Sequence, residues 1–381
     1  MLKSNKSALG IIFANTYDAL VPELVNVRLM ASIPFASRYR MIDFMLSSMS
    51  NNGIDNIAIM VENNYHSLMD HLGSGREWDL VRKNGGLSIF PPGSEKGAAS
   101  IYTGKINAIS GILGILRKQK EEYVVITDSN IAANINFKKM IDAHIETGAD
   151  VTIAYTEEAL PDSVSKSADN NKGFYYTLGI ENGRVTKMNV NNKDKGIQNF
   201  GMNIYLLRRE LLIDLINNAY VRGQVSFERD ILLNQLNILN VQAYKYDGYT
   251  ARISGMKSYF DENMKLLDDH NVDALFDPAP IYTKIRDDNP TRYVSGAKAE
   301  NVMVADGCVI EGEVENSILF RGVQIAKGAK VKNCILMQDT VVEAGASIEY
   351  LITDKNVKIS AGKEMKGTDT FPFYIAKNHT V

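Results

Sequence analysis

The chain has 381 residues, 45% of them hydrophobic, and a formal charge of −3. One hydrophobic core rarely grows beyond about 250 to 300 residues, so two domains are expected. The near-neutral charge gives no basic stripe for a nucleic-acid backbone. The two cysteines, Cys308 and Cys334, sit in apolar repeats without disulfide or metal spacing. No apolar run approaches the ~18 residues of a membrane span, and the N-terminal run lacks a small-residue cleavage site. These features predict a soluble cytoplasmic protein with no nucleic-acid or membrane partner.

Residues 8–14 read as a first buried strand. "NIAIMVE" (56–62), "YVVITD" (123–128) and "DVTIAYT" (150–156) follow as further strands, being continuous, β-branched and bounded by polar residues. Between them, "MIDFMLSSMSNNG" and "FKKMIDAHIETGA" space apolar residues as helices do and run into C-capping glycines. The alternation predicts a Rossmann-like α/β domain with a mostly parallel sheet over 1–276, with ligands beyond the C-terminal ends of the strands.

After a proline-bearing linker at 277–290, helical spacing disappears. Small or aliphatic residues recur every sixth position: Val302, Cys308, Val314; Ile325, Val331, Met337; Leu336, Val342, Ile348. A period of six predicts a left-handed parallel β-helix over 291–381. Such domains often serve acyl transfer, which wants a histidine base, yet none occurs between His270 and His379.

Several stretches narrow the reading. "SIPFASRYRMIDFMLSSMSNNGI", "HLGSGREWDL", "NGGLSIFPP", "YTGKINAI", "NFGMNIYLLRRELL", "SFERDIL" and "IYTKIRDDNPTRY" resemble successive segments of the bacterial ADP-glucose pyrophosphorylase (glucose-1-phosphate adenylyltransferase) family, nearly end to end. The resemblance implies a nucleotidyltransferase fold that makes ADP-glucose and pyrophosphate from ATP and glucose 1-phosphate for glycogen synthesis. Such chemistry needs phosphate positioning and Mg2+ held by carboxylates, with no protein nucleophile.

The chain departs from the family where that chemistry is done. Phe13, Ala14 and Thr16 stand where the first loop's glycines would let backbone N–H groups approach phosphates. In the family's Arg-Ala-Lys-Pro segment Arg28 remains, but Met30 replaces the lysine. Asn130 takes the position of one metal-binding aspartate and Arg252 that of the second, placing a cation where a cation should bind. The sugar-phosphate Glu-Lys pair falls near Val190–Asn191. Loss of several kcal/mol of metal stabilisation alone slows turnover roughly a thousandfold. Asp128 could offer a displaced carboxylate, but the first expectation is a solvated or capping role at a strand end.

Of the remaining polar residues, Arg28 and Arg40 match family positions at an anionic-effector pocket, suited to phosphate or sulfate through paired hydrogen bonds; Ser74 replaces a family arginine there. His66 and His71 lack a third ligand, so hydrogen bonding rather than metal binding is expected, and Trp78 reads as packing. The resemblance with its departures predicts a regulatory, D-type subunit without a metal or cofactor of its own. It would be inactive or very weak alone and would assemble with a catalytic partner, which binds Mg2+ and ATP, into a heterotetramer, or with itself. The rivals are an active adenylyltransferase with a divergent metal site and a stand-alone sugar-phosphate or nucleotide sensor.

Overall fold

A computed structural model describes residues 7–83, 85–93, 102–160 and 174–381. Nine strands form one sheet: β1 (Ala8–Phe13), β2 (Asn56–Met60), β3 (Gly86–Phe90), β4 (Tyr123–Asp128), β6 (Val151–Ala159), β7 (Tyr176–Glu181), β8 (Arg184–Val190), β9 (Ile197–Arg208) and β10 (Val241–Lys245). Their order is β3-β2-β1-β4-β9-β6-β10-β8-β7. The expected parallel arrangement holds from β3 to β4. At β9 the sheet turns antiparallel, and only the β6–β10 pair beyond it is parallel again. The sheet is therefore mixed. β9, whose inner residues Phe200 to Leu207 are all buried, is inserted between the two halves, and a central strand buried on both faces carries no alternation from which its direction could be read.

Helices α1 (Met41–Asn51), α2 (His66–Leu72), α3 (Lys105–Ser110), α4 (Phe137–Glu146) and α5 (Arg209–Val221) accompany the strands. The glycines predicted to end α1 and α4, Gly53 and Gly148, take the left-handed conformation (φ +75° and +59°) just past the helix ends. Two apolar clusters, built on alternating sides of β1, β2 and β4, fill the space between sheet and helices. A short strand β5 (Ile131–Ala133) leaves the end of β4 and pairs antiparallel with β11 (Thr250–Arg252). Helices α6 (Met256–Met264) and α7 (Asp269–Phe276) close this part of the chain.

From Arg292 onward the chain coils into parallel strands. The six-residue period marks successive faces of a coil. Stacked partners lie a full coil apart: Val314 on Val331 on Ile348 on Met365. Asn316, Asn333 and Tyr350 occupy one repeated corner with positive φ; asparagine tolerates that conformation, whereas tyrosine there is a costlier choice.

The β-helix is not a free appendage. Phe35, Phe44, Tyr259 and Phe260 from the first part share one core with Ile318, Phe320, Ile335 and Ile352, and the Tyr259 hydroxyl donates to the Pro34 carbonyl (2.8 Å). The intervening 277–290 stretch is pinned back onto α1 and β5: Tyr282 N–H donates to Ser47 Oγ (2.8 Å), and Asn134 Nδ2 donates to the Ala279 carbonyl (2.7 Å). One consequence is an enclosed space between the two parts, lined by both.

Candidate functional site

Two cavities matter. The first, about 620 Å3, opens at the C-terminal ends of β1, β2 and β4 and is lined by Phe13, Asn15, Thr16, Asp18, Glu62 and Lys105 among others. The second, about 640 Å3, lies between the α/β part and the β-helix.

The loop after β1 is shaped by its own side chains. Asp18 accepts from Met30 N–H (2.7 Å) and from Asn15 Nδ2 (2.7 Å), while Asn15 Oδ1 accepts from Glu62 N–H (2.8 Å). The Asp18 carboxyl is raised to about 6, first by burial and further by Glu62, with its hydrogen bonds to Met30 and Asn15 opposing. Met30, at the family's lysine position, is wholly buried in the shared core. The mouth of the cleft therefore presents the carboxylates of Asp18 and Glu62 to an incoming phosphate.

Deeper in, Lys105 is the residue that sequence reasoning missed. Its ammonium lies 2.9 Å from Asp128 Oδ2 and 2.5 Å from Glu228 Oε1, and Thr16 Oγ1 donates to the other Asp128 oxygen (3.0 Å). All three charged groups are over 90% buried. Burial pulls the Lys105 ammonium down, but Asp128 and Glu228 outweigh it and hold it above the ordinary lysine value. Asp128 rises to about 6 through burial, with Lys105 opposing and Glu228 adding. The expectation of a solvated or capping Asp128 is thus corrected: β4 ends inside the domain, and the carboxylate needs a buried partner. A signal was present in the sequence, because a lysine in the first turn of a helix faces the positive end of the dipole and wants a local reason. Gly104 before it supplies the access; a Cβ there would meet the Val225 carbonyl oxygen at 2.6 Å.

Asn130 and Arg252, far apart in sequence, come together on the β5–β11 pair, where Arg252 faces Ile131 and Ile253 N–H donates to the Asn130 carbonyl (2.9 Å). Asn130 Nδ2 donates weakly to the Ile253 carbonyl (3.4 Å) and its buried Oδ1 has no partner. The Arg252 guanidinium bonds Glu158 (3.1 Å) and the Gly201 carbonyl (3.2 Å), and lies 3.9 Å from the Phe200 ring centre. Gly201 sits where β9 shifts register against β6, and such an irregularity frees a carbonyl from the ladder. Near the loosely matched sugar-phosphate pair, Asn191 accepts from the Tyr175 N–H (3.1 Å).

These residues do not fit a divalent cation. Such an ion wants several charged oxygens with free lone pairs. Here an ammonium already bridges Asp128 and Glu228, Asn130 offers one neutral oxygen, and a guanidinium stands beside it.

The second cavity has the opposite character. The turn 34–40 enters it with Ala36 and Ser37 at positive φ (49° and 60°). Arg40 lines it, its backbone N–H donating to Asp43 Oδ2 (2.9 Å), while among the described residues its guanidinium donates to the Ser67 carbonyl and hydroxyl (2.6 and 3.0 Å) and to no carboxylate. Arg321, 8% exposed, donates to the Lys284 carbonyl (3.0 Å) while its Nε has no partner. Arg38, Lys355 and Lys377 add to the positive lining. Arg28 is placed elsewhere: it pairs with Asp354 at 2.6 Å, 2% exposed, and is absent from this lining. His71 also reaches the cavity but bonds Asp43 (2.6 Å), and Trp78 packs in the core.

A nine-stranded α/β sheet whose cleft opens at the strand ends, followed by stacked short coils, defines a nucleotidyltransferase-type protein with a hexapeptide β-helix. Sequence comparison agrees: residues 26–163 match the nucleotidyl transferase family and residues 285–371 the GlmU-like C-terminal hexapeptide family. The chain is 37% identical to the glycogen biosynthesis protein GlgD of Bacillus subtilis (strain 168), covering 98% of this chain and 96% of that protein. It is 36% identical to GlgD of Geobacillus stearothermophilus over 86% of this chain and 83% of that protein, and 31% identical to the glucose-1-phosphate adenylyltransferase of the same organism over 86% and 84%. The chain belongs to the family that contains GlgD and the glucose-1-phosphate adenylyltransferases. Among the described residues, no helix is long and apolar enough to cross a membrane.

Proposed function

We propose that the chain is a regulatory, catalytically impaired subunit of a glucose-1-phosphate adenylyltransferase in glycogen biosynthesis, acting with a catalytic homologue in a cytoplasmic hetero-oligomer. The observation that carries this reading is the Lys105 ammonium locked between Asp128 and Glu228, with Arg252 beside Asn130. Fixed cations hold the places where a metal-bound phosphate would need open carboxylates. Retention of a shared core between the two parts supports a role in assembly, since the fold is kept while the buried carboxylates of the cleft are taken up by Lys105.

The interdomain cavity is where this subunit senses an anionic effector carrying phosphate or sulfate. Arg40 and Arg321 support this, because each is largely buried and retains N–H groups without a carboxylate. Arg28 supports the wall of the cavity through Asp354 and does not contact the anion.

The test is an assay of the catalytic homologue with and without this chain, alongside size-exclusion chromatography of the mixture. The two are expected to co-elute, the chain shifting the partner's rate or effector response while forming no ADP-glucose alone with Mg2+ and ATP. Turnover by the purified chain would overturn the reading, as would separate elution with unchanged kinetics.

A further inference from the structure

Lys355 is, among the described residues, one of the cavity cations that no carboxylate answers. The carboxylate next to it, Asp354, is already spent. Its Oδ1 takes Arg28 (2.6 Å) and the backbone N–H of Lys355 itself (2.7 Å), and its Oδ2 takes the Tyr374 hydroxyl (2.9 Å). The carboxylates that line the cavity are engaged too: Asp70 lies 3.2 Å from Lys284 Nζ, and Asp339 accepts from Gln338 Nε2 (2.9 Å). Among the described residues, no carboxylate pairs with the Lys355 amine.

We propose that Lys355 is a covalent modification site, acylated by small acyl phosphates whose phosphate end docks on Arg40 and Arg321. The proposal rests on the anion-binding reading of the cavity and adds its regulation. Burial, with Arg40 and Arg28 close by, lowers the Lys355 amine to about 7, while Asp354 opposes and Lys377 adds to the lowering. A large fraction is therefore the neutral, nucleophilic amine at neutral pH. Arg40, which disfavours its protonation, also stabilises the departing phosphate together with Arg321, which lines the same cavity.

The step balances without any redox partner. The amine lone pair attacks the acyl carbon, the bond from that carbon to the phosphate oxygen breaks, phosphate leaves with the electron pair, and the surplus nitrogen proton passes to water. The product is an amide and free phosphate. Acylation permanently removes one cation from the cavity, so the modified chain binds inorganic phosphate more weakly.

The experiment incubates the full-length protein with acetyl phosphate at pH 7.0 (about 7, where exposed lysines, near 10.4, stay protonated) and follows each lysine by peptide mass spectrometry. Lys355 is expected to be acetylated roughly tenfold or more faster than the exposed Lys330 and Lys363, and excess inorganic phosphate is expected to suppress it. Arg321→Ala should slow acetylation by acetyl phosphate while the rate with an uncharged acetyl ester stays unchanged, whereas Arg40→Ala should slow both, because Arg40 also lowers the Lys355 amine. If calorimetry shows phosphate binding but Lys355 reacts no faster than exposed lysines, this proposal is overturned and the effector reading stands. If Lys355 is fast with both reagents and phosphate neither binds nor protects, both readings fall.

Discussion

The two cavities are of similar volume, about 620 and 640 Å3, yet their charges are handled in opposite ways. In the cleft beyond the β-strands the protein answers its own buried cations: Lys105 with Asp128 and Glu228, Arg252 with Glu158. In the cavity between the two parts, the side chains of Arg40, Arg321 and Lys355 pair with no carboxylate among the described residues. A charge neutralised internally no longer needs a ligand, whereas burying cations without partners is costly unless a ligand repays it. The difference separates a cavity whose buried cations are paired internally from one whose cations are left without carboxylate partners among the described residues.

The largest test of that contrast is Lys105→Met. Removing the ammonium leaves two buried carboxylates facing each other, and stability should fall by about 3–5 kcal/mol, read by denaturant unfolding. Restoring neutrality with Asp128→Asn and Glu228→Gln in the same chain should recover much of the loss. Unchanged stability in Lys105→Met would mean the triad is not the closed unit described here.

On the open side, Arg321→Ala should weaken inorganic phosphate binding by about 1.5–3 kcal/mol, the range for a hydrogen bond to a charged group, with little change in thermal stability. Calorimetry giving equal affinities would remove Arg321 from the anion site.

A smaller effect concerns Asp18, whose folded value of about 6 lies above its ordinary value of 3.8. The folded state then binds a proton more tightly than the unfolded chain. This contribution is fully present below about pH 4 and is lost as pH rises through about 6. Asp18→Asn should flatten the stability profile between those limits by about 1–2 kcal/mol, seen in unfolding midpoints across pH. A steeper profile in the variant would contradict the buried-carboxylate picture of the cleft mouth.

The smallest is Ala36→Gly. Ala36 holds φ +49° at a turn that positions Arg38 and Arg40, and glycine relieves about 1 kcal/mol of strain. The melting temperature should rise slightly while phosphate affinity stays the same. A fall would show that the side chain contributes packing that outweighs the strain.

Much of the fold was legible in the chain itself. Strands β1, β2, β4 and β6 and helices α1 and α4 fall within a few residues of where periodicity and capping place them, because buried parallel strands and amphipathic helices write their environment locally. The direction of β9 was not legible, since a strand buried on both faces looks alike either way. For the candidate sites, the missing glycines of the first loop and the substitutions at Asn130 and Arg252 were visible as residue types. Lys105 was overlooked because its partners lie 23 and 123 positions away.

Sequence alone determined the two-part architecture, the period of the β-helix and the loss of a phosphate-friendly first loop, all of which depend on patterns within a few residues. Only the tertiary structure decided what each charge meets. Arg28 and Arg40 stand on one short stretch, yet one is spent on Asp354 and the other faces an open cavity. Local patterning sets which face of an element is buried, but the partner across that face comes from a distant part of the chain and exists only once the domains have packed.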